Sequence, residues 1–148
     1  GTKYRLKVNR RPSGAYSVHI EGDYIVVDVH RDTSADHIRQ TLYFWYKEQT
    51  LPIFTRLIAK WQAILGVAPS RWELRQMSSR WGSCSPSKGV VLLNVELAKK
   101  PVECMEYVVA HEMTHLIERN HTDRFRRLMD THLPTWQLIK TRLNEYPI

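Results

Sequence analysis

The sequence predicts an α+β fold on three observations: apolar and polar residues alternate around turn signals over residues 4–29, apolar residues recur at helical spacing over 38–65, and a long apolar run fills 102–117. Within the first segment, Tyr4, Leu6 and Val8 precede Pro12-Ser13-Gly14. Tyr16, Val18 and Ile20 precede Glu21-Gly22-Asp23, and an apolar stretch runs to Val29. Three antiparallel strands are expected in residues 1–33. Ser34-Ala35-Asp36 is a helix-capping sequence, and Ile38, Leu42, Trp45 and Tyr46 share one helical face. Leu51-Pro52 is expected to interrupt that helix, because proline removes a backbone donor. A second helix then carries Phe54, Leu57, Ile58, Trp61 and Leu65 and stops at Gly66. The two form a long or kinked helical arm over 34–70.

Residues 71–148 read as the core that carries chemistry. Residues 72–77 alternate like a strand, 80–87 are polar and turn-rich, and 89–95 are apolar and rich in β-formers. Pro101 suits a first helical turn, and Glu103 and Glu106 favour its positive end. The following residues to 117 are apolar on almost every face, as in a buried central helix. Asn120 is a candidate left-handed stop, and helices are expected over 123–129 and 135–143, separated by Pro134. The architecture is thus a small antiparallel or mixed sheet packed on a central helix, with further helices at the C-terminal end. At 148 residues, 1–148 is expected to be one domain.

Composition narrows the function classes. With 43% hydrophobic and 25% charged residues, the chain is neither a disordered tail nor a fibrous repeat. No apolar run approaches the roughly 18 residues that span a bilayer, so no membrane partner is expected. Cys84 and Cys104 are too few for a disulfide framework and fit a cytoplasmic location; buried, apolar-like packing is expected for both. The net charge of +7 gathers at Lys3, Arg5, Lys7, Arg10 and Arg11 and again at Arg119, Arg124, Arg126 and Arg127. A solvated surface is the simpler reading, although this charge also admits nucleic acid as a partner. A first residue other than Met leaves room for flanking domains.

The chemistry lies in His111-Glu112-Met113-Thr114-His115, an H-E-x-x-H pattern. Residues four apart on a helix lie about 40° and one turn apart, so both imidazoles can reach one tetrahedral ion. Glu112, offset around the helix, can take a proton from a water on the metal's open position. A catalytic zinc needs a third ligand, and His121 follows His115 by six residues, where a turn can swing it back. Metzincins share that interval but place glycine where this chain has Glu118, which is read as an outer or surface group. By chance this pattern occurs in roughly one in a few hundred chains of this length. Histidines buried on an apolar helix without a metal would also carry a polar-burial cost. His19, His30, His37 and His132 lack such spacing; only His132 is a candidate oxyanion donor. Tyr107, one turn before His111, is a core or site-wall residue.

The order Arg80-Trp81-Gly82-Ser83-Cys84, Leu93-Asn94, Leu97, Pro101, Tyr107-Val108-Val109, the histidine motif, Asn120-His121 and Phe125 resembles the YgjP-like metallopeptidase family, related to the SprT and WLM groups. The resemblance spans roughly residue 75 to the end. It implies a zincin-like α+β fold, one zinc ion on His111, His115 and His121, and catalysis by Glu112. By similarity to zincin folds, the strand over 90–95 would pair with an extended peptide, making Val91, Leu93 and Asn94 substrate-binding residues, with Arg80 a further contact or a carboxylate partner.

The resulting expectation is a zinc metallopeptidase acting on a peptide or protein. Two alternatives stay open at the level of sequence. One is a zinc-dependent nucleotide or phosphoester hydrolase, which the basic surface allows. The other is a DNA-associated, SprT-like protease, which the family relationship suggests.

Overall fold

The computed structural model describes residues 2–146. Six strands and four α-helices follow the order β1 (Arg5–Arg11), β2 (Ser17–Glu21), β3 (Tyr24–His30), α1 (Ala35–Leu65), β4 (Arg71–Arg75), β5 (Gly82–Ser85), β6 (Val90–Asn94), α2 (Val102–Thr114), α3 (Asp123–His132) and α4 (Trp136–Asn144). A 3-10 segment, Val95–Lys99, joins β6 to α2. The α+β class is the one expected.

The N-terminal strands form a sheet of order β1-β3-β2. They are not all antiparallel: β2 and β3 make the expected hairpin, but β1 runs parallel to β3. The five residues between β1 and β2 leave space for a third strand between them. β3, with Ile25, Val26, Val27 and Val29 buried, takes that central place. Val27 and Val29 pack on Ile38, with Val18 and Leu42 alongside, in a small cluster beside the first turns of α1.

Pro52 does not divide the helical arm. α1 is one helix of 31 residues, capped by the Ser34 hydroxyl accepting from the His37 N–H and ended by Gly66 at φ 67°. Glu48, Leu51 and Pro52 lie on the exposed face, where water can satisfy the carbonyl that proline leaves without a donor. Thr50, Phe54, Leu57, Ile58 and Trp61 meanwhile anchor the other face. The Trp61 indole N–H and the Lys60 ammonium both donate to Glu106 of α2, at 3.2 and 2.5 Å.

The second sheet has order β4-β6-β5, with β4 parallel and β5 antiparallel to β6. β5 falls inside the stretch expected to be turns. Its Gly-Ser-Cys-Ser sequence has no apolar alternation, and pairing with β6 imposes the extended form. Val91, Leu93, Leu97, Val108, Val109 and Met113 lead the main core between this sheet, α1 and α2. α2 is buried on almost every side, as its composition predicts, but it ends at Thr114, earlier than Asn120. No described residue other than glycine has a positive φ, so Asn120 is not a left-handed stop. Among the described residues no helix is long and apolar enough to cross a membrane.

Candidate metal centre

The last turn of α2 carries His111, Glu112 and the capping residue His115, and the chain then folds back sharply. The Ile117 and Glu118 N–H groups both donate to the Thr114 carbonyl, at 3.0 Å each. The Asn120 N–H donates to the Glu118 carboxylate (3.3 Å), and the Thr122 hydroxyl caps α3 by accepting from the Phe125 N–H (3.3 Å). This return brings His121 beside the helix. The three Nε2 atoms lie 3.2 Å (His111 and His115), 3.1 Å (His115 and His121) and 3.0 Å (His111 and His121) apart.

These spacings fit a tetrahedral metal. Ligand nitrogens at about 2.0–2.1 Å from zinc stand roughly 3.3 Å from one another. Nδ1–H of His115 donates to the Glu118 carbonyl at 3.1 Å, which turns Nε2 inward toward the other two rings. His111 is held neutral, its pKa pushed down to about 3 by burial and then by the neighbouring His115 and His121. Burial, with His115 next, also lowers His121. Three ring nitrogens converging this closely are suited to share one cation between them. Among the described residues these histidines form the one cluster suited to a metal ion.

Phe125 of α3 supports all three rings at once. Its centroid lies 5.0 Å from His111, 4.7 Å from His115 and 4.9 Å from His121, and the side chain is fully buried. Nδ1 of His111 is buried without a hydrogen-bond partner, so ring packing against Phe125 and Tyr107 orients this imidazole. Tyr107 stacks on Trp136 at 6.4 Å and walls the site as well as filling the core. Its hydroxyl is pushed up to about 12 by burial, with Glu112 adding to the shift.

Glu112 is buried, and burial raises its pKa to about 8 against the opposing charge of Arg80. Gly82 of β5 lies directly against it: a Cβ there would come within 2.8 Å of Glu112 Cγ and 2.9 Å of Oε1. Two clefts, of about 480 and 590 Å³, meet at this point and share Arg80, Gly82, His111, Glu112 and His121. One runs between α2, α3 and α4; the other follows β5.

Other expected site residues lie elsewhere. Val91, Leu93 and Asn94 are wholly buried on β6, and β6 is the middle strand with both edges paired. They are not substrate contacts. The Asn94 amide instead donates to the carbonyls of Met77 (2.9 Å) and Arg80 (2.8 Å), tying down the loop that leads into β5. Arg80 is exposed and borders both clefts. Glu118 orients His115 through its backbone carbonyl, and His132 lines neither cleft. Cys104 is buried, whereas half-buried Cys84 faces the cleft along β5, its thiol pushed up to about 11 by burial. Sequence reasoning assigned no role to Gly82 or Phe125. The signal was their place in the family-like pattern, Gly82 beside Trp81 and Phe125 four residues after His121.

A buried helix ending in two histidines, a third histidine on the returning loop and a mixed sheet behind define a zincin-like fold of the metallopeptidase class. The chain belongs to the YgjP-like family, metallopeptidase domain, whose family model matches residues 1–146. Among solved structures it is similar to the metallopeptidase zymogen of Pyrococcus abyssi abylysin, at 23% identity over 60% of this chain and 90% of that one, with a TM-score of 0.56. It is also similar to the metallopeptidase zymogen of Methanocaldococcus jannaschii jannalysin, at 18% identity over 62% and 93%, with a TM-score of 0.55. These likenesses concern the fold. No curated protein matches the chain.

Proposed function

We propose that the protein is a zinc-dependent peptidase in which His111, His115 and His121 hold one zinc ion and Glu112 is the general base. The observation that carries this reading is the convergence of three Nε2 atoms within 3.2 Å of one another beside a buried carboxylate. When bound there, zinc supplies Lewis acidity, polarising a carbonyl and making a bound water acidic near neutral pH.

The chain's own residues supply the rest. Glu112, packed against Gly82 and held ionised by the charge of a zinc ion beside it, would accept a proton from water at its carboxylate and return it to the departing amine. His115, fixed by the Glu118 carbonyl, keeps Nε2 directed at the metal. β5, not β6, is the edge strand next to α2, so an extended peptide would add to β5 and lie across the junction of the two clefts.

The test is hydrolysis of unstructured protein substrates by wild type, by metal-depleted protein and by Glu112→Gln. Loss of turnover in the last two, with zinc retained by Glu112→Gln, is the expected result. Unchanged cleavage by that variant would refute the assigned base. Nucleoside triphosphate hydrolysis without peptide cleavage would refute the peptidase.

A further inference from the structure

The two clefts that meet at Glu112 are bordered by positive charge. Arg126 and Lys140 stand at the cleft between α3 and α4, Arg119 at the cleft along β5, and Arg80 at both. All four are exposed. Among the described residues only one carboxylate lines either cleft, and it is the buried Glu112. The chain has 22 basic and 15 acidic residues, so four cations drawn from this composition would bring about three carboxylates with them. The clefts are thus more one-sided than the protein.

Local ion pairs do not use up this charge. Arg126 lies 3.3 Å from Asp123, an exposed pair on one helix face, and such pairs are weak and open readily. Lys140 lies 5.9 Å from the centroid of Trp136, a ring that stacks on Tyr107 in the cleft wall. The cleft therefore joins an aromatic wall to a cationic rim, suited to a short apolar stem ending in an anion.

Resting on the peptidase reading above, we propose that the protein selects acidic peptides, with a substrate carboxylate near the bond to be cut taken by Arg126 and Lys140. That carboxylate can come from a glutamate or aspartate side chain or from the peptide's free C-terminus. Lys140 and Arg126 are specificity residues, and no reacting atom passes through them.

The test uses zinc-loaded Glu112→Gln protein and labelled peptides, with binding read by fluorescence anisotropy. Three peptides are compared: one with an internal glutamate and blocked termini, its glutamine isostere, and the glutamine peptide with a free C-terminus. The glutamate peptide should bind roughly five- to tenfold tighter than its isostere at low salt, with the gap narrowing as salt rises. Adding Arg126→Gln and Lys140→Met should abolish the gap while leaving the melting temperature unchanged. A gain confined to the free C-terminus would assign the carboxylate to the chain end.

Equal binding of all three peptides, no binding of any peptide, or a preference that survives the double substitution would overturn the proposal. So would binding of a nucleoside triphosphate alone. Cleavage by the wild-type protein separates the two readings. Acidic peptides bound through Arg126 and Lys140 but never cut would refute the peptidase and keep the selectivity. Equal cutting of all three peptides would do the reverse.

Discussion

Gly82 touches Glu112 so closely that a methyl group on its Cα would lie 2.8 Å from the glutamate Cγ. The same methyl would lie 2.8 Å from Val108 Cγ1, so it would meet two side chains of α2 at once. β5 therefore fixes where the Glu112 carboxylate sits. Gly82→Ala should lower peptide turnover by roughly a hundredfold, the scale of a misplacement of about 1 Å in a catalytic group. It should also cost about 1–3 kcal/mol of stability from overpacking. Zinc content should not change. Steady-state kinetics beside elemental analysis separates this outcome from loss of the metal.

The metal-free protein should lose stability as pH rises from about 6.5 to 8. Glu112 has a raised folded pKa of about 8, so the folded state holds a proton that the unfolded state releases above about 4.5. Its contribution therefore falls with pH between those values. His111 acts oppositely: lowered to about 3, it contributes stability that grows as pH rises from 3 to about 6.5 and is then constant. Above 6.5 the Glu112 slope stands without that opposition. Thermal melts of metal-free wild type at pH 6.5 and 8 should differ, and Glu112→Gln should remove most of the difference. Parallel melts for the two proteins would show that Glu112 is ionised in the folded state at neutral pH.

His121→Ala should separate metal binding from folding. The side chain is exposed and belongs to the loop between α2 and α3 rather than to the core. Metal-free wild type and variant should therefore unfold within about 0.5 kcal/mol of each other. Zinc should raise the wild-type melting temperature and have little effect on the variant. Elemental analysis should find one zinc per chain in wild type and a sharply reduced content in His121→Ala. Full zinc occupancy in the variant would exclude His121 as a ligand.

The difference between what could and could not be read from sequence follows from range. His111 and His115 are four apart on one helix, so their joint orientation is a local property, and the structure brings both together with His121. Gly82 meets Glu112 from thirty residues away, and nothing in Gly-Ser-Cys-Ser marks a strand; pairing with β6 makes it one. Phe125 was legible as an apolar residue, but its contact with three imidazoles depends on how α3 docks. Pro52 misled because local propensity weighed its missing donor without knowing that its helix face is exposed. Val91, Leu93 and Asn94 were misplaced for a related reason. Apolar β-formers identify a strand well, but they do not reveal whether it lies in the middle or at the edge of its sheet.

Asn94 carries the clearest structural consequence of that central position. Its amide donates to the Met77 and Arg80 carbonyls, and its side-chain oxygen accepts from the Glu96 N–H at 3.1 Å. One buried side chain thus bridges the loop before β5 and the 3-10 segment after β6. Asn94→Ala would leave two carbonyls without their donor, a loss of about 2–4 kcal/mol at roughly 1–3 kcal/mol per buried unsatisfied group, moderated by water entry. Asn94→Asp should be at least as harmful, since a carboxylate cannot donate to either carbonyl and would be a buried charge. Because the loop leads through Trp81 to Gly82, turnover should fall with stability. Peptide preference should stay as in wild type, since Asn94 is fully buried and borders neither cleft. Chemical denaturation combined with cleavage of a mixed peptide set checks both halves. A stable Asn94→Ala protein with altered cleavage preference would return Asn94 to the substrate site.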